Sequence, residues 1–388
     1  MKKIITMILA VMLILTVIVG TVSAAEPAMD KSWPEETIKI GVELWDTADE
    51  TNIGAVNYFN YLADHYNVEF MFSESISSAE QEFEFADACA AAGCKGYIGI
   101  YNASFDSIAQ HVTDHGMYYW CVERSIDEAF ADNPYYLGGY NPVVSGSDID
   151  GNGDYLLGYE LAYTLAEGGA KHIVYCSGGA EIGLQMFVDR QEGFFDGLEA
   201  AKNDGYEVEF DLDKDIIPGW PGSDEFAARQ SQAISGDYDA VACSFSGVEV
   251  WYQPILDAGR QDVMKIAGVG TVTDSIVSIA ETGAIAALVY ECEEVMLGNA
   301  VPMMINAVNG HSDLLKGEEG YCLVDTNRWT LKDIEDFKAV LEKHEAGEFY
   351  VSAEDMIQLF PEFNPELTKE EFINFYTRLT LDHAMGRE

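Results

Sequence analysis

Short apolar runs alternate with amphipathic stretches along most of this 388-residue chain, and that alternation restricts the fold more than any single motif. β-like runs fall at 38–44 (IKIGVEL), 68–72, 96–101 and 118–122. A second set falls at 172–176, 206–210, 240–245, 264–269 and 286–290. Helical patterns at 53–65, 78–92, 105–114, 155–167, 187–203, 224–234, 251–258 and 273–282 separate them. Strand starts lie roughly 20–35 residues apart, the length of a βαβ crossover. The runs are apolar on both faces, as in a parallel sheet covered by helices on each side. The expected class is therefore α/β, with two doubly wound parallel-sheet lobes whose right-handed crossovers leave ligand sites at the carboxyl ends of the strands. Beyond Tyr321 the chain reads as a mostly helical tail. Within it, Ser352-x-x-Asp355 and Thr368-x-x-Glu371 have the spacing of helix-start capping boxes.

The N-terminus carries a different signal. Lys2 and Lys3 precede the apolar stretch 4–20, and Val22-Ser23-Ala24 supplies the small residues after which a signal peptidase cuts. Residues 1–24 are read as a signal peptide, so the protein is expected outside the cytoplasm, in the periplasm or at the cell surface. The stretch is also just long enough to remain as an uncleaved anchor. No cysteine precedes Cys89, which excludes attachment through a lipoprotein cysteine. The formal net charge is −46, and loss of the two leader lysines makes it −48. Such acidity argues against nucleic acid and against anionic membrane surfaces, since both need basic patches. Membrane association would run through a partner or through the anchor.

The remaining motifs are weaker. Seven cysteines form an odd set, so at least one thiol is free. Cys121 and Cys176 lie within strand-like runs and read as small buried hydrophobes, and Cys89 with Cys94 is the one close pair. Residues 148–154 match the start of an EF-hand loop, but Tyr159 stands where the bidentate glutamate belongs. Asp154 as a helix cap is the competing reading. His111 and His115 share a helix face at i, i+4 without an indicated third ligand. There is no nucleophile elbow, zinc-protease motif or P-loop, so no enzyme activity and no cofactor are expected.

Segments in order along 38–324 resemble the type 1 periplasmic binding proteins, the sugar-receptor branch related to the LacI regulators. The resemblance is carried by QEFEFADACAAAGCKGYIGIYNAS, FDSIAQHVTDHGMYYWCVERSIDE, FVDRQEGFFDGLEAA and KIAGVGTVTDSIVSIAETG. It implies lobes at 38–139 plus 293–321 and at 143–289 plus 325–388, with hinge crossings near 140–144, 290–292 and 322–325. It also nominates ligand-binding residues: Trp45 and Asp46 after the first strand, Asn102, Glu123 and Arg124 in the first lobe, and Arg190, Trp220, Ser246 and Glu291 in the second. Planar Arg forks, carboxylates and aromatic plates are what a ring bearing hydroxyls requires. Gly270 departs from the pattern, because it stands where sugar receptors carry an aspartate.

These readings lead to an exported receptor that captures a small polar, sugar-like solute between its lobes for an ABC transporter permease, with hinge closure on binding. A nucleoside- or amine-specific receptor and a ligand-sensing module for a membrane sensor are the alternatives. A DNA-binding regulator is disfavoured, because the export signal occupies the place of a helix-turn-helix.

Overall fold

The computed structural model describes residues 31–100, 105–122, 128–144 and 153–387. Eleven strands form one sheet in the order β2-β1-β3-β4-β5-β11-β10-β9-β8-β6-β7. The first half comprises β1 (Ile38–Leu44), β2 (Val68–Ser75), β3 (Gly96–Gly99), β4 (Tyr118–Cys121) and β5 (Tyr136–Val144). The second comprises β6 (Ile173–Gly178), β7 (Ile216–Pro218), β8 (Ala240–Ser246), β9 (Lys265–Gly270) and β10 (Ile285–Tyr290). All pairs within each half are parallel. The expected two-lobed α/β architecture is therefore present. Its strands are buried on both faces, as in IVYCSG of β6, which is why they read as continuous apolar runs rather than alternating ones.

β11 (Cys322–Leu331) joins the halves. Its residues from Cys322 to Arg328 pair in parallel with β5, and Leu331, Thr330 and Trp329 pair antiparallel with β10. The strand changes partner at Arg328. Residues 322–325 were expected as a hinge crossing and the rest as part of a mostly helical tail; the structure corrects the latter, since the strand runs on to Leu331. CLVDTNRWTL carries too many polar side chains to signal a strand, yet Thr326, Asn327 and Arg328 are buried. A second correction concerns the expected strand at 206–210. That segment makes only an isolated bridge from Glu209 to His172, and the strand beside β6 is β7, ten residues later.

The helices start where their caps allow. Asp49 accepts from the Thr51 and Asn52 amides at the head of the Glu50–His65 helix, and Ser78, Ser223 and Thr273 cap others in the same way. Both expected capping boxes, at Ser352 and Thr368, are formed. Among the described residues, no helix is long and apolar enough to cross a membrane.

The tail, assigned from sequence to the second lobe, contacts both halves. Lys338 of the Ile334–Glu345 helix pairs with Glu281 of the second half at 2.9 Å. Farther on, the carbonyls of Val351 and Ala353 accept from Tyr58 and Tyr66 of the Glu50–His65 helix (2.8 and 2.5 Å). Phe360 and Phe363 enclose Trp33. Lys369 then donates to the carbonyls of Lys316 and Tyr321, and Trp329 Nε1 ties Leu379 back to β11 at 2.9 Å.

One helix crossing fixes the surroundings of Arg190. Gly158 of the Gly153–Glu167 helix and Gly193 of the Gln185–Asn203 helix lie so close that a Cβ on Gly158 would collide with the Arg190 carbonyl oxygen. A Cβ on Gly193 would likewise collide with that of Tyr155. This approach brings Asp154 beside Arg190. Gly193→Ala should lower unfolding free energy by about 1–3 kcal/mol, read from the midpoint of urea unfolding. An unchanged midpoint would show that the crossing has slack.

Candidate functional site

The carboxyl ends of the parallel strands collect most of the nominated side chains in the second half. Trp220 follows β7, with 42% of its surface exposed. Its ring lies edge-on to Phe187 at 4.9 Å and tilted against Phe245 at 5.2 Å. The Arg190 guanidinium sits 5.4 Å over the Phe187 ring and 3.8 Å from Glu291, which follows β10. Ser246 ends β8, and a Cβ built on Gly270 at the end of β9 would lie 3.3 Å from its hydroxyl. Gly270 has φ +150°, a backbone conformation that favours glycine. An aspartate there would be strained, so the departure from the sugar-receptor pattern is built into the backbone. Arg190, Trp220, Ser246 and Glu291 are thus brought together.

In the first half, Trp45 is half-buried and Asp46 exposed immediately after β1. Asp46 closes its own turn, accepting from the Ala48 amide at 2.9 Å, and its carbonyl accepts from Asn52 Nδ2 at 2.6 Å. This turn leads into Asp49, whose carboxyl feels both Glu291 and Asp46. Asn102, Glu123 and Arg124 lie outside the described residues, as do residues 1–30 and residues 148–152 of the EF-hand-like segment. A buried carboxylate that the apolar reading of β1 passed over supports the end of β3. Glu43 accepts from Tyr97 and, at 2.7 Å, from the Ile100 amide.

The helical pattern at 187–203 sets Arg190 within its first turn, but the helix begins at Gln185 and Arg190 lies beyond that turn. The cation is tolerated because Asp154 faces it, with Nε at 2.9 Å and Nη2 at 2.8 Å. Nη1 donates to the Ser244 carbonyl at 2.7 Å. Arg328, which no motif pointed to, completes the group. It is 1% exposed, 3.2 Å from Asp154 and 3.1 Å from Glu291. Two arginines and two carboxylates are thereby buried as a neutral set. Asp154 was expected as a helix cap, but its carboxylate serves the two arginines.

Two further groups from the sequence have defined surroundings. His111 and His115 both bond Asp87 through Nε2, at 2.8 and 3.0 Å. Asp87 is a third donor that the spacing did not indicate, and these bonds hold its carboxyl below the usual carboxylate range. All seven cysteines are buried, and none is in a disulfide.

Burial pushes the Asp49 carboxyl above its ordinary range; the Asn52 and Thr51 amides oppose this, and Glu291 and Asp46 add to it. A raised folded-state value means stability that is full below the unfolded pKa of about 3.9 and falls as pH rises through the raised one. Asp49→Asn caps equally well and removes the charge. Its melting temperature should match the parent's at the acid end and exceed it at pH 7. A parent more stable at pH 7 would show that the charged cap outweighs its burial.

No family model and no curated protein sequence matches the chain, but solved structures share its fold. An ABC transporter solute binding protein from Bacillus halodurans C-125 with bound myo-inositol is 17% identical; the match covers 80% of this chain and 98% of that one, at a TM-score of 0.57. A periplasmic solute binding protein from Actinobacillus succinogenes 130z with bound D-allose is 12% identical, with 78% and 99% covered and a TM-score of 0.59. The transcription regulator CcpA of Lactococcus lactis is also 12% identical, with 76% and 98% covered and a TM-score of 0.55. The chain therefore has the type 1 periplasmic-binding-protein fold, as its segments suggested.

Proposed function

We propose that this protein is an exported receptor that captures a small polar, sugar-like solute between its lobes and presents it to an ABC-type permease. The observation that carries the reading is the convergence of Trp220, Ser246, Arg190 and Glu291 at strand carboxyl ends, where this architecture places ligands. An exposed tryptophan plate beside hydroxyl and carboxylate groups matches a ring with one apolar face and a rim of hydroxyls. The solved structures with bound myo-inositol and D-allose support the same ligand class. Lobes at 38–139 plus 293–321 and at 143–289 would close by rotation about the three crossings. Asn102, Glu123 and Arg124 would complete the first-lobe wall. The tail would span both lobes and set how far they open.

Arg190 gives most of its fork to Asp154 and Ser244, so it would offer a ligand at most one remaining hydrogen on each of Nη1 and Nη2. Acceptors are supplied by carboxylates: Glu291, Asp46 and, in the first lobe, Glu123. With Gly270 supplying no side-chain acceptor, this acid-rich rim favours a second reading within the same fold, a nucleoside or an amine-bearing ligand.

A thermal-shift screen of residues 25–388 against sugars, polyols, nucleosides and amines separates the readings. A ligand at about 100 times its Kd should add about 2.7 kcal/mol of stability. Trp220→Ala, an exposed change that leaves the core intact, should weaken the hit roughly three- to tenfold. A sugar or polyol hit with that loss supports the first reading, and a nucleoside or amine hit the second. Silence across the panel contradicts the receptor role.

A further inference from the structure

β10 is followed by Glu291-Cys292-Glu293-Glu294, and only Glu291 belongs to the neutral set around Arg190 and Arg328. Glu293 and Glu294 are 4% and 1% exposed. Two carboxylates this deeply buried and this close need a cation or protons, since burying an uncompensated charge costs several kcal/mol. Among the described residues neither is ion-paired to a lysine or arginine, and the single basic group facing them is His344. This side chain belongs to the Ile334–Glu345 helix of the tail, with its Nε2 3.9 Å from Glu294 Oε1. Glu293, Glu294 and His344 each bring a donor atom within 4.8 Å of the others'.

The hydrogen bonds leave donor atoms free on this cluster. The Cys292 thiol donates to Glu294 Oε2 at 2.9 Å, while Glu294 Oε1, on the side of His344, has no hydrogen-bond partner among the described residues. The Tyr290 hydroxyl lies 3.3 Å from Glu293 Oε2 and 3.0 Å from His344 Nε2. It thereby holds the carboxylate and the imidazole in one neighbourhood. The Glu293 carboxylate packs on Gly54 of the Glu50–His65 helix, with Oε1 nearest. Glu294 Oε1, a buried carboxylate oxygen without a donor, lies 3.9 Å from His344 Nε2, a few tenths of an ångström wider than the edge of about 3.3–3.6 Å on a tetrahedral ion with bonds of about 2.0–2.2 Å, so a small side-chain shift, with the Tyr290 hydroxyl turning from Nε2 to Glu293, brings both onto one ion.

We propose that Glu293, Glu294 and His344 hold a divalent cation of the zinc class, which ties the chain crossing after β10 to the tail helix. One imidazole and two carboxylates suit a borderline ion, whereas calcium and magnesium prefer all-oxygen sets of six or more ligands. The ion neutralises two carboxylates that no other cation reaches among the described residues. It also links three parts of the molecule: the β10 exit, the Glu50–His65 helix behind Glu293, and the tail.

The test uses residues 25–388 carrying His111→Ala and His115→Ala, which removes the exposed histidine pair as a competing site. The protein is produced with zinc in the medium, purified without chelator and desalted, and its metal content is measured beside its melting temperature. The expected result is about one zinc per chain, with a melting temperature that falls when a strong chelator removes it. Glu294→Gln preserves shape and hydrogen bonding to Cys292, and His344→Ala removes the nitrogen ligand. Each should fold by circular dichroism, retain less than about a tenth of the zinc, and lose the chelator response. A parent protein without zinc, or full zinc content in both variants, overturns the proposal.

Discussion

The neutral set formed by Arg190, Arg328, Asp154 and Glu291 is the interaction on which the arrangement of the two halves depends. Each crossing between halves contributes one member. Asp154 opens the helix reached from β5, Glu291 follows β10, and Arg328 is the residue at which β11 exchanges β5 for β10. Arg190 binds this knot to the second half through the Ser244 carbonyl. Buried ion pairs add little to stability compared with apolar packing, but losing one partner is costly. The set therefore specifies how the crossings align more than it adds cohesion. Its members must meet in one geometry, and that geometry fixes where Glu291 stands at the end of β10.

The tail applies a second constraint. It leaves β11, lies on a helix of the second half, and then hooks the Glu50–His65 helix through the carbonyls of Val351 and Ala353. Under the proposed closure, hinge rotation would act against contacts that cross between halves. Strand crossings, tail contacts and the buried carboxylates after β10 would then jointly set its range.

The sequence made the repetitive parts of this molecule legible and left its junctions obscure. Parallel strands such as β6 and β8 declare themselves because both faces are apolar, and capping boxes at Ser352 and Thr368 declare themselves because their spacing has one physical meaning. β11 was visible only as a crossing at 322–325, since its polar residues are buried by partners distant in sequence, Thr377 lying 50 residues from Asn327 and Asp154 174 from Arg328. Arg328 and Asp154 were invisible as a pair for the same reason, being 174 residues apart. The strand beside β6 was misplaced because 206–210 has the right composition, whereas β7 is three residues long and ends in a proline. Of the nominated ligand residues, the second-half group assembles around Trp220. Arg190 proved to be held by neighbours that sequence spacing could not show.

The most direct measurement is a double-mutant cycle on Arg328→Met and Asp154→Asn in residues 25–388, read as unfolding free energy in urea at pH 7. If the buried set holds the crossings together, each single change costs about 3–5 kcal/mol by stranding its partner. The double change should then cost less than the sum, with a coupling energy of about 1–3 kcal/mol. Additive costs with no coupling would contradict the account, because the two residues would then be neighbours without mutual dependence.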